Sequence, residues 1–217
     1  MQLLRATLLI VGFLILGACQ SPLMSTFQNV LPAIFQWRGA DSPRLNPSFS
    51  YIRLEAVGQT AFLALGMVES HGTLDKVEYY FSGEKEVLRL HRGRIVGLSG
   101  STFDWRVLPR TGGIPELTGA TRVWERGRDV EPGGMLGIKE RMTAREILAP
   151  SKSNLRGLNA QGLRWFEESS LPLQPLPQEH RLPPSRYAVD RKSGAVVYAE
   201  ECVKSTFCLS WQRWPAK

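Results

Sequence analysis

Hydrophobic and polar positions follow three successive rhythms along the chain. Ala6 to Leu16 is an apolar run, interrupted by Thr7 alone, and is preceded by one cation, Arg5. It has the length of a signal-peptide core and falls short of the roughly 20 residues that a membrane-spanning helix needs. From Ser21 to Pro47 the apolar residues lie among Pro22, Pro32, Pro43 and Pro47. The spacing from Phe27 to Trp37 permits one short amphipathic helix, and the rest reads as a tether. After Asn46-Pro47 the rhythm becomes that of strands. Ser48 to Val57 is rich in aromatic and branched residues, Val57-Gly58-Gln59-Thr60 is a turn, and Ala61 to Val68 is a nearly continuous apolar strand. Lys76 to Phe81 is the next strand and Ser82-Gly83-Glu84-Lys85 the next turn. In Val87 to Leu90, Leu88 and Leu90 face one side. His91-Arg92-Gly93-Arg94 then turns the chain into Ile95-Val96-Gly97-Leu98.

Short strands joined by short glycine-bearing turns predict an antiparallel meander. The second half is less regular. Thr118 to Arg126 and Gly137 to Met142 read as strands, and Leu163 to Glu168 as a strand or a helical turn. Leu171 to Pro184 carries five prolines in fourteen residues, which blocks both a helix and a central strand and predicts a surface crossing. Arg186 to Asp190 and Ala195 to Glu200 flank the hairpin turn Lys192-Ser193-Gly194. The predicted fold is mostly β: an antiparallel meander forming a curved sheet, a sandwich or a half-barrel, with a few short helices. The predicted organisation is a signal peptide over 1–18, a lipid anchor and tether over 19–47, and a single β-rich domain over 48–217.

The apolar leader ends in Leu16-Gly17-Ala18-Cys19, two small residues before a cysteine. That is a bacterial lipobox. Its Cys19 thiolate is the nucleophile that takes a diacylglycerol, and small neighbours let a peptidase reach the preceding bond. The alternative is an ordinary secreted protein with a cysteine in its leader; the place of Cys19 at the end of the core favours lipidation. Acyl chains contribute about 0.8 kcal/mol per buried methylene, so they anchor a folded domain without a transmembrane helix. Gln20, rather than an aspartate, favours the outer membrane, with the domain on its periplasmic face.

Export changes how the remaining composition reads. The chain from Cys19 onward has a formal charge of +6, which suits anionic partners such as acidic glycans or phosphorylated lipid headgroups, while export makes nucleic acid a poor candidate. With Cys19 assigned to lipid, Cys202 and Cys208 are the two thiols left, and an oxidising compartment pairs them. Histidines His71, His91 and His180 lack partners at metal-ligand spacing, so neither a metal nor a cofactor is expected. No G-x-S-x-G or phosphate-cradling loop occurs. Glu69, Asp75 and Asp104 are the carboxylates from which a glycosidase pair would be drawn, if two were held across a sugar bond. Arg89, Arg92 and Arg94 bracket one hairpin, and Arg122, Arg126 and Arg128 lie in another segment. Residues two apart on a strand share a face, so Arg92 and Arg94 can present forked donors side by side to a carboxylate or phosphate. Trp105, Trp124, Trp165, Trp211 and Trp214 are core residues or sugar-stacking platforms.

In the order of its strands the chain resembles the YjbF/GfcB family of capsule- and exopolysaccharide-associated lipoproteins. The resemblance rests on Tyr51-Ile52-Arg53-Leu54, Ala61-Phe62-Leu63-Ala64-Leu65, Val77-Glu78-Tyr79-Tyr80-Phe81 and Val87-Leu88-Arg89-Leu90. Gly93-Arg94-Ile95-Val96, Ser99-Gly100 and Arg186-Tyr187-Ala188-Val189-Asp190 with Ser193-Gly194-Ala195-Val196 extend it. Glu200-Glu201 stands where the family has Ser-Gln, and the aromatic strand lacks the usual tryptophan. The resemblance implies a β-rich envelope lipoprotein that assists polysaccharide export by binding an acidic glycan or the export proteins, with no catalytic residues to carry over. Two alternatives stay open: a glycan-modifying enzyme, if an acidic pair lines a deep cleft, and a lipid carrier, if the strands enclose an apolar cavity.

Overall fold

The computed structural model describes residues 45–100, 104–109, 113–131 and 135–216. The leader, Cys19 and the helix expected between Phe27 and Trp37 lie outside them. Twelve strands make up the described fold. The first five are β1 (Tyr51–Ala56), β2 (Gln59–His71), β3 (Leu74–Phe81), β4 (Val87–His91) and β5 (Arg94–Ser99). They follow the predicted meander, each beside the next. Then come β6 (Asp104–Pro109), β7 (Arg122–Glu131), β8 (Ile138–Ile147), β9 (Leu163–Pro172), β10 (Ser185–Asp190), β11 (Val196–Lys204) and β12 (Phe207–Trp214).

All neighbours are antiparallel, and β12 returns to pair with β1 over six positions, from Tyr51 opposite Trp214 to Ala56 opposite Leu209. The sheet is therefore a closed barrel, not an open or half-open one. Closure leaves no strand edge unpaired. Three details differ from the sequence reading. β6 was not foreseen, β7 and β8 run further along the chain than expected, and Leu163 to Glu168 resolves as a strand. Helical structure among the described residues is two single turns, Ala160–Gly162 and Gln178–His180.

Side chains alternate between the two faces of each strand. On β1, Ile52, Leu54 and Ala56 point inward, where Leu63, Leu88, Leu98, Phe166 and Trp211 join them in the core. The outer face carries ion pairs such as Arg145–Glu167 at 2.7 Å and Arg106–Asp129 at 2.8 Å. A membrane-spanning barrel carries an apolar belt on its outer face instead.

Part of the outer face is covered. The connection from β8 to β9, residues 148–162, lies as a strap over β9 to β12, burying Leu163, Trp165, Ala188 and Tyr198 from outside. Asn154 donates its backbone N–H to the Tyr198 hydroxyl at 2.8 Å. Arg156 exchanges two bonds with the Gln212 amide, accepting at 2.6 Å and donating at 2.8 Å. The proline-rich crossing spans one mouth of the barrel. Its Leu176 is buried, its Glu179 carbonyl accepts from Ser205 in the β11–β12 turn, and its His180 carbonyl accepts from Arg128.

Two hairpin turns have the same backbone and different surroundings. Val57-Gly58 (φ +51° and +74°) joins β1 to β2, and Arg92-Gly93 (φ +49° and +74°) joins β4 to β5. Positive φ at both central positions is the twist-matched hairpin turn. A Cβ on Gly58 would meet nothing within 4 Å, whereas one on Gly93 would collide with the Val196 side chain. Gly58→Ala is expected to cost about 1 kcal/mol from backbone strain alone. Gly93→Ala adds an overpacking cost and is expected to reach about 3 kcal/mol. Urea unfolding of the two variants checks this; equal losses would show that Gly93 is not packed against Val196.

Candidate functional site

Charged side chains gather inside the barrel, where the strand pattern leads one to expect apolar residues. At the start of β5, Arg94 is 3% exposed and turns inward. Its Nε donates to Glu168 of β9 at 2.7 Å, and its guanidinium lies 5.8 Å from the Trp124 ring centre and 5.7 Å from that of Tyr187. The β4–β5 register shifts between Arg89 and Leu90. Next to this irregularity the Ile95 N–H donates across the barrel to the Glu201 carboxylate, at 3.2 Å and 3.3 Å to its two oxygens. Glu201 also accepts from the Tyr187 hydroxyl at 2.9 Å and the Trp211 indole at 3.4 Å.

A second buried group lies toward the mouth that the proline-rich crossing spans. Arg126 and Arg128 are two apart on the inner face of β7 and share Glu140 of β8, at 2.9 Å and 3.1 Å. Arg128 and Glu140 are fully buried. Arg213 of β12 makes a third link, donating to the Tyr80 hydroxyl at 2.9 Å and to Glu78 at 3.0 Å. Removing charge from water costs several kcal/mol per ion, so these groups persist only because each meets a counter-charge.

Burial sets their protonation. Loss of water pushes the Glu201 carboxyl up to about 7, with nearby Glu168 adding to the shift, while the bonds from Tyr187, Ile95 and Trp211 oppose it. Burial likewise holds the Tyr187 phenol well above its ordinary value and pulls the His91 imidazole down.

Other sequence-predicted residues lie apart from this network. Arg92 sits in the turn with its side chain 38% exposed, reaching Asp75 at 3.5 Å and the Ile114 carbonyl at 3.3 Å. Arg94 points into the barrel, so the two forks do not lie side by side: Arg92 belongs to the two-residue turn, whereas Arg94 belongs to the strand that aims it inward. Arg89 lies against Gly97, and Arg122 is exposed beside Thr118. Asp75 opens β3 and Asp104 opens β6, at opposite mouths of the barrel, so they form no pair across one bond. Glu69 is exposed on the β2–β3 hairpin. His71 ends β2, and His180 lies in the crossing. Trp105 and Trp211 are core, Trp165 is buried beneath the strap, and Trp214 packs on Phe62 at 5.7 Å. The Cys202–Cys208 disulfide joins directly opposed residues of β11 and β12.

Arg126, Arg128 and Arg94 stand out in the sequence, but their partners Glu140 and Glu168, and the role of Glu201 beside them, do not. One signal for Glu201 was present, the replacement of a neutral residue by Glu in an otherwise family-like hairpin.

No known protein-family profile matches the chain, and no curated protein does. Among solved structures it is similar to the hypothetical lipoprotein YmcC from Escherichia coli K12, with a TM-score of 0.56. That likeness covers 89% of this chain and 93% of the other at 15% identity, and it concerns the fold.

Glu201 gives the barrel a pH dependence of defined sign. Its folded value, about 7, lies above the ordinary 4.5. The folded state therefore holds a proton that the unfolded chain releases earlier. This contribution is fully present below pH 4.5 and is lost as pH rises through about 7. The gap corresponds to about 3 kcal/mol. Unfolding free energies should fall between pH 5 and pH 8, and Glu201→Gln should flatten that fall. An unchanged slope in the variant would show that another group titrates.

Proposed function

We propose that this protein is an outer-membrane lipoprotein that assists export or assembly of a capsular or extracellular polysaccharide, binding the glycan or the proteins that move it. The observation that carries the reading is the lipobox at Cys19 in a chain that goes on to form a barrel with a packed interior and a charged exterior. A lipid anchor holds such a barrel at a membrane while leaving its outer face in water. Its likeness in fold to a protein described as a lipoprotein supports the anchor, and the order of strand motifs that resembles the YjbF/GfcB family supports the polysaccharide role. The interior is filled by large side chains and by ion pairs among its own residues, which favours binding on the outside over storage of a lipid within.

Deleting the gene should lower surface or secreted polysaccharide. Wild-type protein should restore it and take up labelled palmitate, whereas Cys19→Ser should do neither. Unchanged polysaccharide in the deletion strain would overturn the export role, and full rescue by the unlabelled Cys19→Ser protein would overturn the need for an anchor.

A further inference from the structure

The strap and the first hairpin enclose a hollow that the interior network does not explain. Its volume is about 540 Å3, within the range of ligand pockets. One wall is the strap from Lys152 to Arg156, fixed by its bonds to Tyr198 and Gln212. The other wall is the β1–β2 turn and the start of β2, and the floor is the outer face of β11 and β12 beside the disulfide. Both walls are pinned by structure that stands without a ligand.

The charges in this hollow are unequally committed. Glu55 is held by Arg53 on its own strand, and Glu200 accepts from the Tyr198 hydroxyl at 2.6 Å and faces Arg186 at 3.7 Å. Among the described residues Lys152 has no ion partner and Arg156 has only a 4.0 Å approach to the already engaged Glu55, with its side chain 60% exposed. The side chains of Gln59 and Ser153 likewise form no hydrogen bond among the described residues, and both line the hollow. One unpaired cation, one cation held only by that 4.0 Å approach and two unengaged neutral polar groups thus line a hollow whose carboxylates already have partners.

We propose that this groove binds a short stretch of acidic saccharide, with Lys152 and Arg156 receiving a sugar carboxylate and Gln59 and Ser153 receiving hydroxyls. The proposal rests on the polysaccharide reading above and names the place and the ligand chemistry. Arg156 is anchored through its backbone, so its side chain is free to serve the ligand.

The test uses the full lipidated protein in detergent micelles, with trigalacturonate as acidic probe and maltotriose as neutral control. Trigalacturonate should bind, more weakly as salt rises, and maltotriose at least tenfold more weakly. Lys152→Ala with Arg156→Ala should lower affinity for trigalacturonate at least tenfold while the thermal midpoint stays within a degree or two of wild type. Gln59→Trp, which fills the groove without changing its charge, should also block binding. Failure of the wild type to bind trigalacturonate, or equal binding by the double variant, overturns the groove. The deletion phenotype reads the export role separately: lowered polysaccharide fully restored by the double variant would leave that role standing and remove the groove from it.

Discussion

The fold depends on bonds that cross the barrel rather than run around it. A closed ring of twelve strands encloses more width than aliphatic side chains from its walls can fill, and the space is bridged by long side chains carrying charge. Arg94 to Glu168 joins β5 to β9, and the Ile95 N–H to Glu201 joins β5 to β11, across 74 and 106 residues of sequence. Breaking the first would leave a charge unpaired in a dry interior, and breaking the second would leave a buried amide without its acceptor. The same links make β5 the strand on which opposite walls converge. Its irregular pairing with β4 is the feature that frees a backbone donor for this purpose.

Crossing the barrel with charge has a consequence for the aromatic residues. Tyr187, Trp124 and Trp211 serve the network as ring faces against a guanidinium or as donors to a carboxylate. Tryptophans that the sequence reads first as core, with sugar stacking as the alternative, also serve here to keep ions satisfied. The arginines follow the same logic. Of the Arg92 and Arg94 pair, the one in the turn stays outside, and its neighbour two positions on becomes the centre of the interior.

Strands bounded by clear turns were legible before the structure, and strands with a second covered face and no such punctuation were not. β1 and β4 alternate, and Gly58 and Gly93 mark the hairpins on either side, so even β5, buried on both faces, is found. β9 reads as strand or helical turn because Leu163 and Trp165 face the strap while Phe166 and Glu168 face the interior, which erases the alternation. β12 hides Ser210 and Gln212 beneath the strap for the same reason. β6 is six residues long and is matched to β5 at only two positions, so little local pattern marked it. The interior carboxylates were invisible for a different cause. A charge in an alternating strand is assigned to solvent by default, and only the far wall of the barrel shows that Glu168 and Glu201 have partners there.

This division between interior and exterior bears on where recognition can occur. The ion pairs inside are committed to holding walls together, so spending one on a ligand would leave its partner unpaired and loosen the barrel. The outer face has no such obligation, and the strap alters it most. By covering Trp165 and Tyr198 it converts a solvent face into a second core, and at its edge it turns polar side chains toward the first hairpin. Loops laid over a rigid scaffold carry binding groups because their sequence is free of the barrel's packing rules. Here the disulfide beneath that edge fixes the floor, and the paired backbone bonds to Gln212 fix the wall. Rigidity at the groove is thus supplied by the barrel, and chemistry by a connection that the strand pattern left undescribed.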